Sequence, residues 1–392
     1  MRWILLLPAL LFGVPNDVSV GYEYLDLLRV HAEAPRLKRD AALQRAAEAH
    51  TRYLLAHDAI GHKERPRPYF SGADPFVRAV AAGRASRLAL ENISYGDEDF
   101  FDSLETLFAA PYHRLAFLHP YYDSVGIAWG ESDEHRWRRV YTYVLGNSHV
   151  ERLCRHADMP TSGAVYTNIC ADGKKISAAA YEAALRQSAL EYGEVIVWPP
   201  AGARDIPPAF FEELPDPMPK CSVSGYVLSV TFNPAKIGRA RVIDFVLKDS
   251  VGREVAAKRL DAGNDPNGKL RPFEHLLIPL KRLRYGATYH AQLRFEADGR
   301  TRRLDWSFTT AKPPFRLIEP RKKDLSLRPG YYSLYFAPRH CNDRIKRYSI
   351  RCKKLRARLR RHDANTINIH LPAPGRCELR TDRGVYRIRV LP

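Results

Sequence analysis

The sequence predicts an α+β chain in three parts: a helical module ending in a small sheet, an antiparallel β-sandwich, and a small all-β terminal module. Three observations predict it. From Gly21 to about Gly146, apolar residues recur at three- and four-residue intervals and then give way to strand-like runs. A Pro-dense stretch, "VIVWPPAGARDIPPAFFEELPDPMP", interrupts both patterns, because proline suits neither a helix interior nor a central strand. Beyond it, short β-rich runs return at even spacing, divided by Gly, Asn, Asp and Pro. At 392 residues the chain is long enough for more than one core.

Taken in order, "MRWILLLPALLFGV" sets one Arg before an apolar run of signal-peptide length, too short to span a bilayer. We read residues 1–20 as a signal peptide. No A-x-A site follows it, and no Cys stands ready for a lipid anchor. "GYEYLDLLRVHAEA" and "AALQRAAEAHTRYLLAHD" carry helical spacing, and "DEDFFDSLETLFAA" opens with acids and stops at Pro111. "YDSVGIAWG" and "RWRRVYTYVLG" then read as strands, which closes a first module at 21–150. Residues 151–194 form a connector with a short helix, "SAAAYEAALRQSALEYG". "YVLSVTF", "RVIDFVLKD", "HLLIPL", "YHAQLRFEA" and "LDWSFTT" build the sandwich over 195–312. "YYSLYFA", "KLRARLRR", "TINIHL" and "VYRIRVL" build the all-β module over 313–392.

Charge is concentrated at the end of the chain. Residues 316–392 hold 21 Lys and Arg against 6 Asp and Glu, which accounts for most of the net +18. In "KLRARLR" a strand would set Lys354, Arg356, Arg358 and Arg360 on one face. Such a row fits an anionic envelope polymer, with a solvated face as the plain alternative and sequence-specific nucleic acid disfavoured. Six Cys in an exported chain permit disulfides. Cys154–Cys170 is the most economical pair, and the other pairings stay open. No C-x-x-C, G-x-S-x-G, H-E-x-x-H, P-loop or G-x-G-x-x-G occurs, which removes the common zinc-ribbon, hydrolase and nucleotide signatures. No second segment is long and apolar enough to span a membrane.

Two segments carry polar residues into apolar surroundings: "LALENISYG" with Glu91 and "APYHRLAFLHP" with His113. Together with "IGHKERPRPYFSGADPFVRAVAAG" and "AAEAHTRYLLAHD" upstream, these motifs resemble the bacterial branch of the CAP superfamily, the cysteine-rich secretory, antigen and pathogenesis-related domains. The resemblance covers roughly residues 21–146. It implies an α-β-α sandwich with a surface cleft, cleft histidines at His62 and His113, and the acid at Glu91. Arg78 matches an arginine of the bacterial members and reads as a structural ion-pair partner. In the eukaryotic members a second glutamate stands three residues after a helical Trp; the matching positions here are Leu107 and Ala110, so that acid is absent. Glu105 lies about 140° around the helix from Ala110 and does not replace it. Residues 195–310 resemble a bacterial Ig-like domain of the S-layer-associated type, on "WPPAGARDIPP", "IPLKRLRYGATYHAQL" and "WSFTT".

Two imidazoles and a carboxylate can hold a small ligand or a divalent metal, with Zn²⁺ preferred by His. They can also serve as acid and base. The expectation is therefore an exported protein of the periplasm, cell envelope or extracellular space, with a ligand- or metal-binding cleft at His62, Glu91 and His113. The alternatives are a peptidase or esterase using the same residues, and a non-catalytic adhesion or scaffold protein.

Overall fold

The computed structural model describes residues 17–156, 162–353 and 355–392. Most of the signal-peptide segment, and Lys354 of the basic row, lie outside the described residues. The chain divides into two compact units, residues 1–196 with 232–238 and residues 197–231 with 239–392.

The first unit is built on a four-stranded sheet of β1 (Lys38–Arg39), β2 (Ala89–Tyr95), β3 (Ser124–Glu131) and β4 (Arg139–Gly146), in the order β1-β3-β4-β2. β3–β4 and β4–β2 are antiparallel, and β1–β3 is parallel. Five helices cover it: α1 (Val18–His31), α2 (Ala41–Ala56), α3 (Pro75–Ala81), α4 (Phe100–Ala109) and α5 (Pro111–Leu118). The alternation of β4 decides which helix lies on which face. Thr142 and Val144 face α2 and α3, where Thr51 bonds Thr142 and Val144 packs with Leu43, Ala47 and Ala79. Tyr141 and Tyr143 face the other way, against Phe100 of α4 and Phe117 of α5. The unit is a three-layer α-β-α sandwich.

The expected helices fall into place for physical reasons. Asp40 caps α2 by accepting from the amides of Ala42 and Leu43 at 2.9 Å each. Its buried stripe runs Leu43, Ala46, Ala47, His50, Thr51, Leu54. Gly126 lets β3 approach α2, because a Cβ there would stand 2.0 Å from the Gln44 amide nitrogen. Pro111 ends α4 as expected, yet it also opens α5, since proline is tolerated at a first helical position. Arg114, which interrupts that apolar run, is buried and donates to the Phe108 carbonyl at 2.7 Å.

The rest of the unit holds α6 (Ser148–His156), the pair β5 (Val165–Tyr166) and β6 (Ile176–Ser177), and α7 (Ala178–Ala189). The Cys154–Cys170 disulfide joins α6 to the loop before β6, as its spacing suggests.

The unit boundary falls within β7 (Val195–Trp198). The second unit is all-β. Strands β8 (Leu228–Phe232), β10 (Ala257–Leu260) and β11 (Glu274–Pro279) run β10-β11-β8. β9 (Ala240–Lys248), β12 (Thr288–Ala297) and β13 (Arg300–Thr309) run β13-β12-β9, all antiparallel. The terminal strands form two four-stranded sheets. β14 (Arg316–Ile318), β16 (Gly330–Tyr335), β19 (Thr366–Leu371) and β18 (Arg358–Asp363) make the first. β15 (Asp324–Leu327), β21 (Gly384–Val390), β20 (Gly375–Thr381) and β17 (Tyr348–Lys353) make the second. Their inner faces enclose one core that includes Leu334, Phe336, Ile369, Leu371, Leu379 and Ile388.

All six cysteines are paired. Beside Cys154–Cys170 stand Cys221–Cys341 and Cys352–Cys377, and no cysteine is free among the described residues. Six paired cysteines match an oxidising compartment. Among the described residues no helix is long and apolar enough to cross a membrane.

Candidate functional site

The site forms where β2, α2, α3 and the loop between α2 and α3 meet. In β2, Glu91 lies opposite Val144 and Asn92 opposite Tyr143, so the two side chains leave the strand on opposite faces. Glu91 therefore points at α2 and α3. Its carboxylate is fully buried. Burial alone would raise its pKa, but His62, His50 and Arg78 outweigh that and hold it below the usual carboxylate value.

Three side chains surround it. The Arg78 guanidinium donates from one nitrogen to both carboxylate oxygens at 2.8 Å each. The Nδ1 of His62 lies 3.0 Å from Oε1, and the Nε2 of His50 lies 3.6 Å from the same oxygen. His50 continues the chain: its Nδ1 is 2.8 Å from Glu64 Oε1 and its Nε2 is 3.1 Å from the Gly61 carbonyl. Glu64 is lowered in the same way, its burial offset by His50 and by Ser71. Two carboxylates, one guanidinium and two imidazoles thus share one hollow, and each acid has donors. Without them a buried charge would be strongly destabilising.

The cluster also shapes the loop above it. Glu64 accepts from the Ser71 amide, the Ser71 hydroxyl and the Gly72 amide at 2.6, 2.9 and 3.3 Å. The other terminal nitrogen of Arg78 donates to the carbonyls of His62 and Gly72 at 3.1 Å each, so one guanidinium ties both ends of residues 62–72. Gly72 has φ +147°, and a Cβ there would stand 2.9 Å from the Arg78 amide nitrogen. Between the two ties the loop projects Tyr69, at φ 65°, and Phe70 into solvent. A non-glycine residue in that region persists only where its surroundings enforce it.

His62 differs from the other members. Its side chain is 45% exposed. Nδ1 is engaged by Glu91, and Nε2 has no partner among the described residues. A carboxylate on one ring nitrogen fixes the hydrogen there and leaves the other nitrogen's lone pair outward.

Of the three expected residues, the structure brings His62 and Glu91 into direct contact. His113, third residue of α5, is tied to the same strand through its main chain: its carbonyl accepts from the Asn92 side chain at 2.8 Å. Arg78 is the ion-pair partner that the resemblance implies. His50 and Glu64, which the motifs do not single out as site residues, complete the cluster. His50 is core and cluster member at once, because its stripe position buries it against Glu64 and Glu91. The signal available was the acid of "GHKE", Glu64, two residues after His62.

The donor set does not suit the Zn²⁺ that three such residues suggest. Both Glu91 oxygens are taken by a guanidinium, whose fixed positive charge would oppose a cation at the same carboxylate. Among the described residues no group of three or more His, Cys, Asp or Glu is arranged to hold a metal ion.

In the second unit Arg356, Arg358 and Arg360 are exposed, with Leu355, Ala357 and Leu359 turned partly inward. The alternation holds, although regular strand structure begins only at Arg358.

Residues 22–146 match the cysteine-rich secretory protein family, CAP. No curated protein matches the chain. Among solved structures it is similar to an outer surface protein from Borrelia burgdorferi, at 18% identity over 34% of this chain and 95% of that one, with a TM-score of 0.30. It is also similar to an extracellular protein containing an SCP domain from Bacillus anthracis str. Ames, at 18% identity over 33% of this chain and 39% of that one, with a TM-score of 0.28.

Proposed function

We propose, from the premise that residues 22–146 are a CAP domain, that this is an exported, envelope-associated or extracellular binding protein whose CAP cleft takes an amphipathic ligand at His62. The observation that carries the reading is the asymmetry of His62: Nδ1 is held by a buried carboxylate while Nε2 is open. Such a nitrogen accepts a hydrogen bond from a ligand head group. The same loop exposes Ile60, Tyr69 and Phe70, apolar surface suited to a ligand's hydrocarbon part. The buried cluster stiffens this loop in advance, which lowers the entropic cost of binding. The Ig-like reading of residues 195–312 belongs to the same proposal, as a spacer.

The test is titration of the full chain with a long-chain fatty alcohol as probe, whose hydroxyl can donate to Nε2, beside His62→Ala and Tyr69→Ala. Saturable binding weakened about tenfold or more in each variant, with an unchanged melting midpoint, supports the reading. No saturable binding by the unaltered protein contradicts it.

The same asymmetry favours a second reading. An imidazole oriented by a carboxylate can take a proton from water, so ester or peptide hydrolysis with His62 as base is the alternative. Turnover on ester or peptide panels that falls on the order of 100-fold in His62→Ala would establish it. Turnover indifferent to both His62→Ala and Glu91→Gln would remove it.

A further inference from the structure

The outward face of the β15-β21-β20-β17 sheet carries an arrangement that folding does not require. Cross-strand register sets Lys353 of β17 opposite Arg376 of β20, and Arg376 opposite Arg389 of β21. Neighbouring strands lie about 4.8 Å apart, so three exposed cations stand in one line about 10 Å long. None of the three has an ion-pair partner among the described residues, and the row ends at Ser326 of β15. Like charges directly opposite one another destabilise a sheet.

The next row on the same face shows the ordinary solution. There Arg351, Glu378, Arg387 and Asp324 alternate in sign. Arg387 approaches Asp324 at 3.8 Å, and Glu378 pairs with Arg380 at 2.6 Å. The cation row is also braced. Cys352 and Cys377 sit in register one position before it and close a disulfide on the inner face, fastening β17 to β20 where their outer side chains repel. Beneath the row lie the buried Cys377, Leu379, Ile388 and Val390.

We propose that this face is a binding surface for an acidic polysaccharide, centred on Lys353, Arg376 and Arg389. The occupant follows from shape and chemistry. Guanidinium forks match carboxylates and sulfates in bidentate fashion. A line of cations at strand spacing suits an extended chain with an acidic group on successive sugars. No outward position of β17, β20 or β21 is aromatic, so the face lacks the stacking platforms of single-stranded nucleic-acid readers. The proposal is independent of the CAP cleft.

The test uses the full chain and labelled polygalacturonate, with dextran and single-stranded DNA as competitors, at about 50 and about 200 mM salt. Arg376→Gln with Arg389→Gln is compared with Lys258→Gln and Arg300→Gln, an equal charge change on other exposed strand positions. The expected result is salt-sensitive binding that weakens about tenfold or more in the first pair, with a salt slope shallower by about two ions. The second pair should stay within about twofold, and the first pair's melting midpoint should not fall, because like-charge repulsion is relieved. Equal effects of the two pairs, absent binding by the unaltered protein, or tighter binding of the DNA than of the polyuronate would overturn the assignment.

Discussion

At the residue scale, Arg78 is the keystone of the buried cluster. It is the fixed cation beside Glu91 and it closes the loop at His62 and Gly72. Arg78→Met should destabilise the first unit by about 3–5 kcal/mol, because it leaves a buried carboxylate without its charge partner. His62→Ala should change stability by less than about 1 kcal/mol, since its ring is nearly half exposed. Thermal unfolding of the two variants side by side checks this, and equal losses would contradict it. The cluster also sets an acid limit. Glu64 and Glu91 have folded-state pKa values below the usual 4.5, so the folded protein holds fewer protons there than the unfolded chain. Their contribution is whole above pH 4.5 and is lost as pH falls through the lowered values. Urea midpoints of the first unit should therefore drop below pH 4.5, and Glu91→Gln should flatten that drop.

At the scale of elements, close approach is the vulnerable feature. Gly126→Ala should prevent stable packing of β3 on α2, since no flexible side chain can yield to a methyl group 2.0 Å from backbone. Failure of the variant to accumulate in folded form is the expected outcome; a melting point near that of the unaltered protein would contradict it. This contact explains a glycine that periodicity alone leaves unremarked. The sequence showed α1, α2, α4 and α7 because each has a long apolar stripe, and it showed β3, β4, β12 and β13 because they alternate. It concealed α5, which is eight residues long and begins on a proline that also reads as a stop. It concealed β17 and β20, whose outward positions are mostly charged and whose inward cysteines carry no strand signal. In the buried cluster, His62 and Glu91 were legible from their motifs. His50 was not, because a residue on a buried stripe looks the same whether it packs or pairs.

At the scale of the whole molecule, the two units should answer pH and reduction differently. Glu274, buried in the second unit, is raised to about 7 by burial, against the Arg271 amide that bonds it. Its folded-state pKa exceeds the unfolded value, so the folded state holds the extra proton and the second unit loses stability as pH rises from about 4.5 through 7. Glu274→Gln should stabilise that unit more at pH 8 than at pH 5, by up to about 3 kcal/mol, read from its melting midpoint. The Cys221–Cys341 disulfide closes a separation of 120 residues within the same unit. Chain-entropy reasoning gives its removal a cost of about 5 kcal/mol. Cys221→Ser with Cys341→Ser should lower the second unit's transition and leave the first in place; a joint shift of both would contradict the division.

The proposed binding role rests on a buried carboxylate that holds Nδ1 of His62 and leaves Nε2 open. Nitrogen-15 NMR of the His62 ring at neutral pH tests it most directly. The expected spectrum is that of the tautomer protonated at Nδ1, lost in Glu91→Gln. A ring protonated at Nε2 and bare at Nδ1 in the unaltered protein would contradict it.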